Sequence, residues 1–132
     1  MGLKENEFAF EHLLLWQKAR SLKIKIRNLT REFPTEEKFL LCSQLLRSSR
    51  SIGALIAEGR GRFTYQDEIH YCIQARGSLY ETVHHLMDAF DECYISTETL
   101  ASLKTDAKEI EKLLNGYILY LRKKKESTIK KQ

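Results

Sequence analysis

The amino-acid sequence predicts an all-α protein, an antiparallel up-down-up-down four-helix bundle. Three observations carry this. Apolar residues recur at alternating three- and four-residue spacing through four segments, the period of helices that bury one face. Turn formers are scarce, with six glycines and the single proline Pro34 in 132 residues, too few to punctuate a many-stranded sheet. The links between the segments are short, and a short link returns the next helix alongside the one before it. A chain of this length holds one domain and one core, which excludes enzymes built on a cleft between two domains.

The first predicted helix covers 11–32, with Leu15, Ala19, Leu22, Ile26, Leu29 and Phe33 on its inner stripe. Pro34 stops it, because the residue before a proline is driven out of the αR region. Thr35 is the expected cap of the second helix, 35–59, and Glu36 and Glu37 suit the positive end of its dipole. Leu41, Leu45, Ser49, Ile52 and Ile56 form its stripe, ahead of the glycine-punctuated Glu58-Gly59-Arg60-Gly61-Arg62. Thr64-Tyr65-Gln66-Asp67 reads as a capping box opening the third helix, 65–92. Its inner face is Ile69, Cys72, Leu79, Val83, Leu86 and Phe90, interrupted by Arg76. Ser96 or Thr97 caps the fourth helix, 97–122, which repeats Leu100, Leu103, Ala107, Ile110, Leu114, Tyr117 and Leu121. Residues 1–10 are left as an N-terminal arm and 123–132 as a basic C-terminal tail. The near-heptad spacing implies shallow, coiled-coil-like crossings.

Hydrophobic residues at 42% and charged residues at 30% give the profile of a globular protein rather than a disordered or membrane one. The longest apolar runs, Leu13 to Trp16 and Tyr117 to Leu121, fall far short of the roughly 20 residues that cross a bilayer. No secretory segment is expected, and Met1-Gly2 is a weak myristoylation signal because Asn6 stands where Ser or Thr is wanted. Cys42, Cys72 and Cys93 are odd in number and widely spaced, which argues against a disulfide framework or a zinc site and for a reducing cytoplasm.

The net charge of +4 is unevenly placed. Arg122 to Gln132 carries six basic residues against Glu126, so the rest of the chain is slightly acidic. Within that rest, Gln17 to Arg31 holds six basic residues and no acid, while Glu81 to Glu111 holds eight acids against Lys104 and Lys108. A basic side and an acidic side are expected.

Catalytic patterns are weak. Glu81-Thr82-Val83-His84 is an ExxH, but di-iron chemistry needs two such segments and further inward glutamates, and the helical wheel turns Glu81 away from the core. No G-x-S-x-G follows a strand. Gly59 and Gly61 follow a helix rather than precede one, so no phosphate-binding helix start is formed. No catalytic residue, metal or cofactor is expected.

Two binding surfaces are expected instead. Arg20, Arg27 and Arg31 recur along one flank of the first helix, and Arg47, Arg50, Arg60 and Arg62 cluster along and beyond the second. Such arginines can neutralise the phosphates of RNA or DNA in a salt-sensitive, largely sequence-independent way; the alternative is an ordinary solvated surface. Leu40, Gln44, Ser48, Ser51 and Leu55 form a second stripe on the second helix, small enough at its serines to admit another helix. It reads either as a subunit contact, joined by Arg47 and Glu58, or as a face covered within one bundle. A protein-interaction scaffold without nucleic-acid binding is the alternative function.

Several stretches in order and spacing resemble the four-helix-bundle proteins encoded within intervening sequences of bacterial 23S rRNA genes. They are Leu15-Trp16-Gln17-Lys18-Ala19, Phe33-Pro34-Thr35-Glu36-Glu37, Gln44-Leu45-Leu46-Arg47, Ser51-Ile52, Ile56-Ala57-Glu58-Gly59 and Ala75-Arg76-Gly77-Ser78-Leu79-Tyr80-Glu81. The resemblance implies a left-handed bundle, commonly assembled as a homopentamer. It also implies similarity to the accessory protein of diversity-generating retroelements, whose basic surface engages nucleic acid and a reverse transcriptase. Carried over by position, Glu58-Gly59 would close the second helix and Gly77-Ser78 would give the third a close-packing spot. Leu55 stands where the family usually has asparagine, which replaces a polar contact with an apolar one.

Overall fold

The structure, a computed structural model, describes residues 3–130, so the Met1-Gly2 signal and the last two residues of the predicted tail lie outside the described residues. Four helices make up the fold: α1 (Leu14–Thr30), α2 (Leu41–Arg60), α3 (Tyr65–Asp91) and α4 (Thr97–Lys130). Short 3-10 turns stand at Ala9–His12 and Thr35–Glu37, and there is no strand among the described residues.

Helix α2 packs on α3, α3 on α4, and α1 against both α2 and α4. Partner numbers run in opposite directions across each seam. Arg60 faces Glu68, Ser51 faces Ser78 and Arg47 faces Glu81 between α2 and α3. Glu68 faces Tyr117, and Tyr80 faces Glu111, between α3 and α4. Leu22, Ile26, Leu45, Ile52, Ile56, Leu79, Leu86, Ile110, Leu114 and Leu121 fill the centre almost free of solvent. Each contributes about 1.5–3 kcal/mol of burial.

The periodicity locates the helices, and the ends depart from it for identifiable reasons. Helix α1 begins at Leu14 rather than at 11, because 9–12 turns as a tighter 3-10 segment. Thr35 does not cap α2. It opens a separate turn, whose Glu37 accepts a 2.9 Å hydrogen bond from Tyr94 across the molecule, and α2 starts at Leu41 without a side-chain cap. Thr64 caps α3 as expected, its hydroxyl accepting from the Asp67 amide at 3.1 Å, and Ser96 does the same for Thr99 at the start of α4. On α3 the expected Ile69, Cys72, Leu79 and Leu86 are buried, joined by Thr82 and Ala89, while Val83 is only half-buried and Phe90 is exposed. The buried positions Glu68, Cys72, Ala75, Leu79, Thr82, Leu86 and Ala89 keep a strict four-three alternation, so the stripe lies one position to the side of Val83 and Phe90, where small residues pack. The expected tail is helical through Lys130, continuing α4 beyond Leu121, its last buried residue.

Gly59 does not end α2, which runs to Arg60 and is capped by Gly61. A methyl group at Gly59 would lie 2.8 Å from Cβ of Tyr71, so glycine is what lets α2 and α3 approach there. Gly77 faces open space; of that pair only Ser78 packs, 3.0 Å from the Ser51 hydroxyl. Helix α3 ends in a Schellman turn, with the Tyr94 amide donating to the Ala89 carbonyl and the Cys93 amide to that of Phe90. Cys93 takes the left-handed position, φ 64°, where glycine is usual.

Candidate nucleic-acid interface

The seven arginines singled out by the sequence are all exposed, yet they fall into two groups. Arg20 and Arg27 on α1 and Arg50 on α2 line one groove, together with Lys23. Helical geometry gathers them, since positions three, four and seven apart share a face. The floor of the groove is Ala19, Ser49, Gly53, Ala54 and Ala57, and its volume is about 410 Å³. None of these four cations, nor Arg31 at the far end of α1, has a carboxylate within ion-pair distance among the described residues. Uncompensated charge of one sign around a concavity focuses field and attracts polyanions.

The other group is neutralised within the protein. Arg47 pairs with Glu81 of α3 and also donates to Gln44 at 2.7 Å. The Glu81 carboxyl is held below its usual range, first by its hydrogen bond from His85 and then by Arg47. Arg60 stands 3.9 Å from Glu68, and Arg62 lies 3.5 Å from Glu58 and over the Tyr71 ring. The sequence cluster Arg47, Arg50, Arg60 and Arg62 is therefore not one patch, because only Arg50 turns toward α1.

At one end of the groove stands Trp16, half-buried and capped edge-on by Phe10, with ring centres 5.0 Å apart. The Arg20 guanidinium lies 5.6 Å from the indole centre. Sequence reasoning saw no aromatic platform. The signal available was the four-residue step from Trp16 to Arg20, which puts a guanidinium over a ring one turn away.

The second stripe on α2 also divides. Ser48 is fully buried, its hydroxyl 2.9 Å from that of Thr82. Ser51 meets Ser78, and Leu55 packs against the core. This half of the stripe is covered by α3, and Ser48 offers no surface to another subunit; Leu40 and Gln44 remain exposed. A different apolar line is open on α3, where Ile73, Tyr80 and Met87 are 46%, 51% and 44% exposed at seven-residue spacing. A shallow apolar groove of about 250 Å³ runs beside it against α4.

The ExxH residues do not converge inward. Glu81 is engaged by Arg47 and His85, and His84 sits 3.5 Å from Asp88 on the outer face. The buried carboxylate is Glu68, missed by the sequence reading, which receives a 2.6 Å hydrogen bond from Tyr117. Burial and that carboxylate push the Tyr117 phenol well above its ordinary range.

These features define an all-α four-helix protein with an unpaired basic groove on one face and a closely packed, ion-paired seam behind it. The family model described as 23S rRNA-intervening sequence protein matches residues 11–116, and the chain belongs to that family. Among solved structures it is similar to a protein of unknown function from the S23 ribosomal protein family of Bacteroides thetaiotaomicron. The two are 32% identical with a TM-score of 0.74, over 80% of this chain and 95% of the other. The comparison with curated proteins returns no match. No helix among the described residues is long and apolar enough to cross a membrane.

Proposed function

We propose that this protein is a non-enzymatic bundle, encoded by an rRNA intervening sequence or a similar element, that binds RNA or DNA phosphates in the groove between α1 and α2. The observation that carries the reading is the set Arg20, Lys23, Arg27 and Arg50, four cations around one concavity without a carboxylate partner among the described residues. Cations of a merely solvated surface tend to sit among acids, as Arg47, Arg60 and Arg62 do here. We read the bundle as up-down-up-down, from the opposed numbering across its seams, and left-handed, as the family resemblance implies.

It acts in the bacterial cytoplasm as a homo-oligomer, five subunits being the number the family resemblance suggests. The apolar line Ile73, Tyr80 and Met87 supports a subunit contact on α3 in addition to Leu40 and Gln44. Repetition around a ring multiplies weak phosphate contacts into avidity. The same exposed line supports the second reading, a scaffold for a protein partner such as a reverse transcriptase.

Fluorescence anisotropy with structured RNA and duplex DNA at low and high salt, beside light scattering at micromolar concentration, tests both. Binding that weakens steeply with salt and a mass several times 15.5 kDa are expected. A monomer removes the ring, and no binding at low salt leaves the scaffold.

A further inference from the structure

We infer that the α1–α2 groove takes an unpaired nucleotide of a single strand, its base entering beside Trp16 and its phosphates held by Arg20, Arg27 and Arg50. This rests on the groove being a nucleic-acid site and states which form of strand it fits.

Depth is the first argument. A duplex keeps its bases stacked between two backbones and presents phosphates, for which a flat basic face would serve as well. This face is not flat. Ala19, Gly53, Ala54 and Ala57 leave a hollow of about 410 Å³ between the cations, in the range of pockets that take small ligands. Only a group that can leave the stack can use such a hollow.

The second argument is what stands at its end. Trp16, held edge-on by Phe10, carries the Arg20 guanidinium over its ring, a planar cation on which an unpaired base can stack beside the indole. The third is spacing. Arg20 and Arg27 are seven residues apart on α1, about 10 Å, and share one face of the helix. One strand lying along α1 passes both, while Arg50 closes the opposite wall. No acidic side chain lines the hollow. The unpaired strand can be RNA or DNA, since base and phosphate are the parts recognised.

Trp16 is the single tryptophan of the chain, so its emission reports on the hollow directly. The experiment titrates the intact protein with unlabelled oligouridine, oligothymidine and a duplex of matched length, following tryptophan fluorescence, and repeats the titrations by anisotropy with labelled strands. Gly53→Leu is the companion variant. A Cβ at Gly53 meets Trp16 at 3.5 Å, an ordinary contact; leucine adds apolar bulk beyond it at the floor without changing a charge, and circular dichroism checks that the variant folds.

Single strands are expected to quench Trp16 saturably and to bind about tenfold more tightly than duplex. Gly53→Leu should lose both the quench and the preference for single strands. Equal affinities with unquenched emission overturn this inference and leave a phosphate groove in place. A folded Gly53→Leu that keeps both quench and preference overturns it by locating the base elsewhere. Absence of binding by any strand at low salt overturns the groove reading itself. If the variant does not fold, quench and strand preference in the unaltered protein decide.

Discussion

The two long faces of α2 are built from the same small residues and do opposite things with them. Toward α3, Ser48, Ser51 and Gly59 let the backbones approach until hydroxyls meet hydroxyls and Gly59 touches Tyr71. Toward α1, Ser49, Gly53, Ala54 and Ala57 leave a hollow instead, walled by arginines. The difference lies in the partner. Helix α3 meets its side of α2 with Ser78, Thr82, the carboxylates of Glu81 and Glu68 that match Arg47 and Arg60, and the Tyr71 ring beneath Arg62. Helix α1 meets the other side with Arg20, Lys23 and Arg27, and no carboxylate stands among them and Arg50. Small residues on one helix thus serve a close seam on one face and line an open groove on another, according to the side chains the facing helix brings.

Charge reversal gives the widest separation of the two faces. Arg20→Glu, Arg27→Glu and Arg50→Glu together should lower nucleic-acid affinity about a hundredfold and flatten its salt dependence by about three counterions. Arg47→Gln, Arg60→Gln and Arg62→Gln should leave anisotropy titrations within about twofold, since those cations are already paired. Equal losses in the two sets would erase the distinction.

One substitution made twice sharpens the comparison. Gly59→Ala forces a methyl group into Tyr71 and should destabilise by about 1–3 kcal/mol, the usual range for overpacking. Gly53→Ala meets only ordinary contacts and should gain up to about 1 kcal/mol, because alanine is the better helix former. Urea unfolding measures both.

Thr82→Val keeps shape and removes the hydroxyl lying 2.9 Å from Ser48 and 2.8 Å from the Ser78 carbonyl. A loss of about 1–2 kcal/mol in the same assay is expected, with nucleic-acid binding unchanged.

Alkaline pH gives the smallest effect and involves neither long face. The folded state holds Tyr117 neutral, by burial and then by its bond to Glu68, and Tyr94 is pushed up to about 12, first by its bond to Glu37. Both phenols have folded values above their ordinary 10.0. Their contribution is complete below about pH 10 and is lost as the pH climbs through 12. Denaturation midpoints should therefore fall in that window, and less so in Tyr117→Phe, which starts lower because it leaves Glu68 without its donor.

What could be read in the chain alone follows the range of each interaction. Leu15, Ala19, Leu22 and Ile26 repeat within one helix and are visible as a stripe; Thr64 caps within three residues and is equally plain, and Ser96 is one of the two adjacent caps the sequence offers. The start of α2 was misplaced because Glu37 is fixed by Tyr94, 57 residues away. Nothing local marks Glu68 as buried, because its partner Tyr117 lies 49 residues on. The arginines were legible as basic and not as paired or free, since Glu81 lies 34 positions from Arg47. The groove emerges only when α1 and α2 lie side by side.

The three cysteines turn the packing into a clock. Cys93 stands exposed at the end of α3, while Cys42 and Cys72 are buried, their thiols pushed up by burial, that of Cys72 to about 12. A thiolate is the reacting form, so a thiol reagent should consume one equivalent at once and two more only as the bundle opens. The slow phase is then a direct count of how often the core comes apart under conditions in which the protein stays folded.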